Sequence, residues 1–213
     1  MTPKFPRRGL YLITPDSDDS DALVARVEDE LPFAACLQYR NKRAHGERRE
    51  SEARRLRALC EAAGVFFIVN DDVALAVRVG ADGVHLGEDD GDIAAARAVL
   101  GPDVAIGASC YDDASLARTA VAAGADYVAF GALFPSSTKP AARRASPALF
   151  AEAASLGVPR VAIGGITPDN ARQAVAAGAD LLAVIGGVFD TPDPVAAARR
   201  IASAFDPTSP ESP

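Results

Sequence analysis

Tryptophan is absent from this sequence, and methionine, histidine and cysteine are scarce, with one, two and three residues respectively. The cysteines are an odd number, and their spacing suggests neither a zinc site nor a disulfide framework. They are Cys36, Cys60 and Cys110. Because free thiols are typical of a reducing compartment, we expect a cytoplasmic protein. No histidine accompanies Cys110 in its motif, so we interpret it as a packing residue and not as a nucleophile.

Long apolar runs are also missing. The first residues, MTPKFPRRGLYLIT, carry charge but no extended apolar stretch, which argues against a signal peptide and against a membrane span. The formal net charge is -7. The surface as a whole therefore repels nucleic acid and anionic membranes, and we expect neither as a partner. An anionic ligand must instead be bound by a local cluster of cations.

Apolar side chains make up 49% of the 213 residues, which is enough for one sizeable core. We predict a single domain over residues 1–206, followed by a disordered polar tail at 207–213. The sequence leaves the oligomeric state open, and a homo-oligomer is compatible with it.

Eight short apolar runs rich in valine, isoleucine and phenylalanine recur along the chain, and each predicts a strand. They lie at residues 10–14, 35–40, 65–70, 83–87, 104–109, 127–131, 161–165 and 181–187. Stretches rich in alanine, arginine and glutamate alternate with them and have helical spacing. Examples are residues 46–63, 112–123 and 167–177.

One connector occurs three times, as VGADGV at 79–84, AGADYV at 123–128 and AGADLL at 177–182. In each copy a glycine can end a helix in the left-handed conformation, and a strand follows at once. TPDN at 167–170 predicts a helix start with a threonine cap. Strands and helices in alternation predict a single parallel (β/α)8 TIM barrel. An open doubly wound sheet is the alternative, but no glycine-rich turn follows the first strand.

In such a barrel, chemistry occurs where strands end. The polar residues at these positions are Gln38, Arg40, Lys42, Asn70, Asp71, Asp72, Glu88, Asp89, Asp90 and Ser109, with Lys139 in a long loop. Asp72 and Asp112 also suit helix caps. Asp71 and Asp90 follow neighbouring strands, which lie roughly 5 Å apart. Together with the cations they indicate either a salt-bridge cluster or a Mg²⁺–diphosphate site.

Glycines end the last two predicted strands, at Gly164-Gly165 and Gly186-Gly187. Backbone N–H groups at these two loops commonly hold a phosphate in barrels. We expect a side chain at Gly165 to fill that cradle. A cation-rich rim with a separate phosphate cradle indicates two phosphorylated small-molecule substrates.

The motifs QYRNK, VNDDVALA, ADGVHLGEDD, IGAS, FPSSTK, VAIGGIT and AVIGG resemble, in order and spacing, the thiamine phosphate synthase family over about residues 9–190. The resemblance implies a transferase that joins 4-amino-5-hydroxymethyl-2-methylpyrimidine diphosphate to a thiazole phosphate. The implied products are thiamine phosphate and diphosphate. The implied mechanism is dissociative: diphosphate leaves with the help of Mg²⁺, and the thiazole nitrogen attacks the resulting pyrimidine cation.

The resemblance also implies roles for individual residues. Arg40, Lys42 and Lys139 would be catalytic, and Asp71 and Asp90 would bind Mg²⁺. The pyrimidine diphosphate would contact Gln38, Tyr39, Arg40, Asn41, Lys42, Asn70, Ser109 and Lys139. The thiazole phosphate would contact Ser136, Ser137, Thr138, Gly165, Ile185 and Gly186. Asn41, Ser136 and Gly186 depart from the residues usual in the family. These departures bear on the fine tuning of the affinity for thiazole phosphate and not on the reaction.

The loop at 132–146 is longer than its counterparts and contains Lys139, so we interpret it as a lid that excludes water. We interpret its Arg143 and Arg144 as solvated surface residues. The bond-forming step needs no strong general base, and we assign structural roles to both histidines, His45 and His85.

Three other functions remain as alternatives. A thiazole tautomerase of the related barrel family would lack the full diphosphate and metal set, and tends to have a histidine where this chain reads SCYDD. A non-catalytic binding or regulatory barrel has little reason to keep an aspartate pair. A different phosphate-handling barrel would need an acid or base at a strand end, for which we find no good candidate.

Overall fold

The structure is a computed structural model that describes residues 5–88, 90–135 and 143–206. Its strands form one closed, entirely parallel barrel in the order β1 to β8, which confirms the predicted fold. The strands are β1 (Gly9–Ile13), β2 (Ala34–Tyr39), β3 (Phe66–Asn70), β4 (Gly83–Leu86), β5 (Ala105–Tyr111), β6 (Tyr127–Phe130), β7 (Arg160–Ile163) and β8 (Leu181–Val184). The predicted tail, Asp89 and residues 136–142 lie outside the described residues.

Helices surround the barrel. They are α1 (Ser20–Glu28), α2 (Gly46–Ala63), α3 (Val73–Val79), α4 (Ile93–Leu100), α5 (Ala114–Ala122), α6 (Ala148–Glu152), α7 (Ala171–Ala176), α8 (Gly186–Phe189) and α9 (Pro194–Ala202). The predicted helix at 46–63 is confirmed, whereas β8 is shorter than predicted because α8 begins at Gly186. No helix among the described residues is both long enough and apolar enough to cross a membrane.

Two predicted helix starts are wrong in detail. Helix α7 begins at Ala171, because residues 168–170 form a turn in which the Asn170 side chain accepts a hydrogen bond from the Thr167 N–H. The cap of α5 is Asp113 and not Asp112. The predicted cap of α3 is confirmed, since the Asp72 carboxylate accepts from the Leu75 N–H at 2.8 Å.

The repeated connector has a repeated structure. Its glycines, Gly80, Gly124 and Gly178, all have positive φ, as predicted. Its aspartate accepts the N–H of a residue on the preceding strand and also pairs with an arginine. Asp82 accepts from the Phe67 N–H and pairs with Arg57, and Asp126 accepts from the Ile106 N–H and pairs with Arg97. Asp180 accepts from the Arg160 N–H and pairs with the guanidinium of the same residue. These three ion-paired connectors lie at the amino end of the barrel, opposite the carboxyl ends of the strands where the predicted site residues lie.

The core has two parts. One lies between the strands and the helices, and the other fills the barrel interior. Phe5 closes the amino end of the interior, where its ring stacks on Tyr127 with a centroid distance of 3.9 Å. Polar groups are therefore left for the opposite, carboxyl end.

Candidate active site

A cavity of about 690 Å³ opens at the carboxyl ends of the strands. Several residues predicted to bind substrate line it together. From the pyrimidine diphosphate set these are Gln38, Arg40, Asn70 and Ser109, and from the thiazole phosphate set they are Gly165, Ile185 and Gly186. The barrel thus brings members of both predicted sets into one space, while their contacts with substrate remain predictions.

Arg40 is held at the rim by a residue that sequence reasoning missed. Asp16, in the loop after β1, lies 3.2 Å from the Arg40 guanidinium and accepts the Lys42 N–H at 2.8 Å. The turn after β2 is therefore fastened to the loop after β1. The Lys42 side chain is exposed and lies near enough to Asp71 to oppose the rise in its pKa.

Tyr39 and Asn41, predicted to contact the pyrimidine diphosphate, lie on the other face of the strand. The Tyr39 hydroxyl donates to Glu52 at 2.8 Å, and the Asn41 amide donates to the same carboxylate at 2.9 Å. Glu52 is fully buried on α2 and also accepts from the Ser20 hydroxyl. Because successive residues of a strand face opposite sides, Tyr39 cannot share the cavity with Gln38 and Arg40. The side chains of these two predicted ligands thus face away from the cavity and anchor the strand end from behind, while contact of their backbone with substrate stays a prediction.

Asp71 and Asp90 meet at the same end of the barrel. Asp71 has a φ of 64°, which is unusual for a residue other than glycine and places its carboxyl group beside that of Asp90. Burial, followed by the contact with Asp90, raises the pKa of Asp71 to about 6. Two carboxylates forced together favour a cation between them.

The donor set fits Mg²⁺ bound jointly with a phosphorylated ligand. No group of three or more histidine, cysteine or acidic residues suited to a metal occurs in the described parts of the chain. Mg²⁺ is commonly held by only one or two carboxylates, with phosphate oxygens and water completing its coordination. The aspartate pair meets that requirement.

The glycines after β7 and β8 are packed against neighbouring backbone. A Cβ on Gly165, whose φ is +66°, would lie 2.2 Å from the Pro135 carbonyl oxygen. A Cβ on Gly187 would lie 2.0 Å from the Ile166 carbonyl oxygen. The expectation that a Gly165 side chain would fill the phosphate cradle therefore needs correction, because it would first collide with the loop after β6.

His85 lines the cavity, although we assigned it a purely structural role. Its Nε2 lies 2.9 Å from Ser109 Oγ and its Nδ1 lies 3.0 Å from Tyr127 Oη. Burial lowers the pKa of His85 to about 4, so the ring is neutral near pH 7. Tyr11, which also lines the cavity, and Tyr127 beneath it were missed too. The alternation in LYLIT could have identified Tyr11 as a residue of the barrel interior.

Part of the predicted lid lies outside the described residues, including Ser136, Ser137, Thr138 and Lys139. Its two ends are tied by hydrogen bonds from the Ala132 N–H to the Arg143 carbonyl and from the Ala145 N–H to the Ala132 carbonyl. Arg143 lines the cavity, with its guanidinium 4.7 Å from the centre of the Tyr111 ring and 3.2 Å from Glu88. Its prediction as a solvated surface residue agrees with its exposed side chain, but Arg143 also borders the cavity.

Cys110 faces the core between strands and helices. Burial raises the pKa of its thiol to about 12, so the reactive thiolate is not formed at neutral pH. Its interpretation as a packing residue is confirmed.

Comparison with known proteins agrees with this geometry. The family model for thiamine monophosphate synthase matches residues 10–188. A thiamine-phosphate synthase of Xanthomonas campestris is 59% identical over 198 residues, which is 93% of this chain and 96% of the relative. One from Chromobacterium violaceum is 60% identical, covering 92% and 96%.

Among solved structures, thiamine phosphate pyrophosphorylase from Pyrococcus furiosus superposes with a TM-score of 0.82 and 32% identity, over 93% of this chain and 95% of that one. A 3-hexulose-6-phosphate synthase superposes with a TM-score of 0.67 at 19% identity, which shows a shared barrel fold and nothing further.

Proposed function

The chain belongs to the thiamine monophosphate synthase family, an enzyme family of the transferase class, and on that premise we propose how its cavity acts. One part of the cavity binds 4-amino-5-hydroxymethyl-2-methylpyrimidine diphosphate, and another binds a thiazole phosphate. The observation that carries this proposal is the single cavity shared by Gln38, Arg40 and Ser109 on one side and Gly165 and Gly186 on the other.

Arg40 and Lys42 stabilise the leaving diphosphate in this proposal. Negative charge grows on the bridging oxygen as its bond to the pyrimidine methylene breaks, and positive groups placed there beforehand lower the barrier. The planar fork of Arg40 suits two phosphate oxygens, while Lys42 supplies a compact charge. The Asp16 carboxylate holds this turn in place through Arg40 and the Lys42 N–H. We assign the same charge role to Lys139, which lies outside the described residues.

Asp71 and Asp90 are the residues that would hold Mg²⁺. Bound there, the ion would neutralise diphosphate oxygens and orient the leaving group. The two aspartates place their carboxylates at the rim beside Asn70, whose side chain lines the cavity. The diphosphate would then lie between this pair and Arg40.

The inner wall of the cavity excludes water from the reacting carbon. Its apolar side chains are those of Ile13, Ala129, Val161, Ile163 and Ala183. A dissociative reaction forms a pyrimidine cation that water would consume, so an apolar wall favours attack by the thiazole nitrogen. Thiazole phosphate is positioned by backbone N–H groups at the start of α8, where the first N–H groups of a helix lack partners within the helix.

The test is to incubate the purified protein with both substrates and Mg²⁺ and to measure thiamine phosphate and diphosphate, with EDTA in a parallel reaction. We expect equal amounts of both products, and neither with EDTA. A third reaction contains thiazole phosphate alone, because a tautomerase would isomerise it without the pyrimidine. Isomerisation without condensation would overturn the proposal. We also propose the cytoplasm as the site of action, since Cys36, Cys60 and Cys110 are all unpaired and buried.

A further inference from the structure

A single chain of hydrogen-bonded side chains crosses the floor of the cavity. Its members come from six different strands, and two of them, Asn70 and Ser109, lie at its ends. The links are Gln38 Nε2 to Asn70 Oδ1 (2.6 Å), Tyr11 Oη to Gln38 Oε1 (2.5 Å), Tyr11 Oη to Tyr127 Oη (2.9 Å), Tyr127 Oη to His85 Nδ1 (3.0 Å) and His85 Nε2 to Ser109 Oγ (2.9 Å). The reaction as proposed above uses Gln38 and Ser109 only as neighbours of the pyrimidine and does not use the three residues between them.

The direction of the first bond follows from the two atoms that it joins. Gln38 Nε2 lies 2.6 Å from Asn70 Oδ1, and an amide nitrogen donates whereas an amide oxygen accepts. Gln38 consequently donates from Nε2 to Asn70, which leaves its Oε1 directed at Tyr11.

Each following bond inherits its direction, because a hydroxyl has one hydrogen to donate. Tyr11 donates to Gln38 Oε1, so the hydrogen between the two tyrosines must come from Tyr127. With its hydrogen used, Tyr127 accepts from the Nδ1–H of His85. A neutral ring with hydrogen on Nδ1 has a lone pair on Nε2, which accepts from the Ser109 hydroxyl.

Ser109 and Gln38, which both line the cavity, therefore differ in whether they accept or donate a hydrogen bond to a ligand. Ser109 has given its hydrogen to His85 and presents only lone pairs to a ligand. Gln38 has a second Nε2 hydrogen and remains a donor. A heterocycle bound between them matches this pattern if it has an exocyclic amino group and an unprotonated ring nitrogen beside it. The corresponding oxo ring, with a carbonyl and a ring N–H, presents the reverse pattern.

We propose that Tyr11, Tyr127 and His85 are positioning residues that fix this donor–acceptor pattern, and that the chain thereby selects a 4-aminopyrimidine over its 4-oxo analogue. The inference rests on the proposed function, since it names the feature of the pyrimidine substrate that the site distinguishes. Mispaired polar groups are costly when buried, which is the physical source of the discrimination.

The first test reads the tautomer directly. The chain has two histidines, so ¹⁵N-histidine NMR of the full-length protein gives two ring systems, and a His45→Gln variant assigns the signals. We expect His85 to be neutral near pH 7 with its hydrogen on Nδ1. Hydrogen on Nε2 would overturn the inference, and this measurement does not depend on any catalytic activity.

The second test measures discrimination. We expect Tyr127→Phe to reduce the ratio of affinities for the 4-amino and 4-oxo pyrimidine alcohols, measured by calorimetry without metal, by about tenfold. Tyr39→Phe is the matched control, because it removes a buried hydroxyl bonded to Glu52 behind the strand. An unchanged ratio in Tyr127→Phe, or an equal fall in Tyr39→Phe, would contradict the proposal.

A double-variant comparison separates a continuous chain from independent structural roles. Once Tyr127→Phe has broken the chain, adding Tyr11→Phe should change the ratio little further, whereas independent contributions would multiply. The wild-type assay keeps the two proposals apart. If the wild type makes thiamine phosphate but the variants retain the wild-type ratio, only the selection mechanism fails; if the wild type makes none, the proposed function fails.

Discussion

Gly107 on β5 leaves the space that the ring of Tyr127 on β6 fills. A Cβ at position 107 would lie 1.9 Å from Tyr127 Cζ and 2.3 Å from its hydroxyl oxygen. The ring is fully buried, with Phe5 stacked on it and the imidazole of His85 at a centroid distance of 5.5 Å. The absence of a side chain at Gly107 thus makes room for the Tyr127 ring beneath the cavity.

Gly107→Ala should therefore displace the Tyr127 ring. Overpacking of this kind costs about 1–3 kcal/mol of unfolding free energy, measured by urea denaturation. Gly107→Ala should cost less unfolding free energy in a Tyr127→Leu background, because the smaller side chain leaves room for the new methyl group. Equal losses in both backgrounds would show that the collision is not the cause.

Arg40→Ala should reduce kcat/KM for condensation by about 100-fold or more, because a positive group at the leaving diphosphate is lost. Arg43→Ala is the matched control, since Arg43 lies in the same turn but pairs with Asp18 at the exposed surface. We expect steady-state assays of diphosphate release to show a near-normal rate for Arg43→Ala. Comparable losses in the two variants would assign the effect to net charge and not to position.

Two adjacent aspartates should respond in opposite ways. Asp71→Asn relieves the crowding with Asp90, so Tm without Mg²⁺ should rise by roughly 2 °C, while activity falls by orders of magnitude. Asp72→Ala removes the cap of α3 and should cost about 1 kcal/mol of stability.

Thermal unfolding with and without Mg²⁺ plus diphosphate checks both expectations. Stabilisation by these ligands should persist in Asp72→Ala and vanish in Asp71→Asn. Full stabilisation of Asp71→Asn would exclude Asp71 as a metal ligand.

His85 should make stability fall with acid. The folded protein keeps the ring neutral down to its pKa of about 4, whereas in the unfolded chain the imidazole takes up a proton below its ordinary pKa of about 6.5. The unfolded state therefore binds more protons between these values, and lowering the pH from 7 to 4.5 should cost about 2 kcal/mol through this residue alone.

Urea denaturation of His85→Gln at both pH values isolates that contribution from the carboxylates. The variant should lose less stability on acidification than the wild type, by that amount. His45→Gln, at an exposed position, should behave as the wild type does. An identical pH dependence in all three proteins would mean that His85 does not titrate in this range.

Local patterns predicted the barrel because each of its units repeats the same signals. Alternating apolar residues mark the strands, and the glycine and aspartate of GAD mark the joints. The same alternation placed Gln38 and Arg40 toward the cavity. The same period of two puts Tyr39 on the opposite face, where the structure has it bonded to Glu52, whereas the family motif QYRNK treats neighbouring residues as one ligand set.

Side-chain contacts between different strands were beyond local patterns. The bond between His85 and Ser109 joins β4 to β5, and the bond between Tyr11 and Tyr127 crosses the barrel interior from β1 to β6. Nothing in the residues around His85 signals its partners, since they are 24 and 42 positions away. Glu52, the buried partner of Tyr39, is similarly hard to identify because it lies in a helix that otherwise has the composition of a solvated surface.

In the proposed selection mechanism, Phe5 links the amino end of the barrel to the polar side chains at the carboxyl end. Its ring lies flat against Tyr127, whose hydroxyl is the midpoint between Gln38 and Ser109. A purification tag or a proteolytic cut that displaces Phe5 would remove its stacking on Tyr127 without altering any residue near the ligand. Under that mechanism, displacement of Phe5 should weaken discrimination between the 4-amino and 4-oxo pyrimidines.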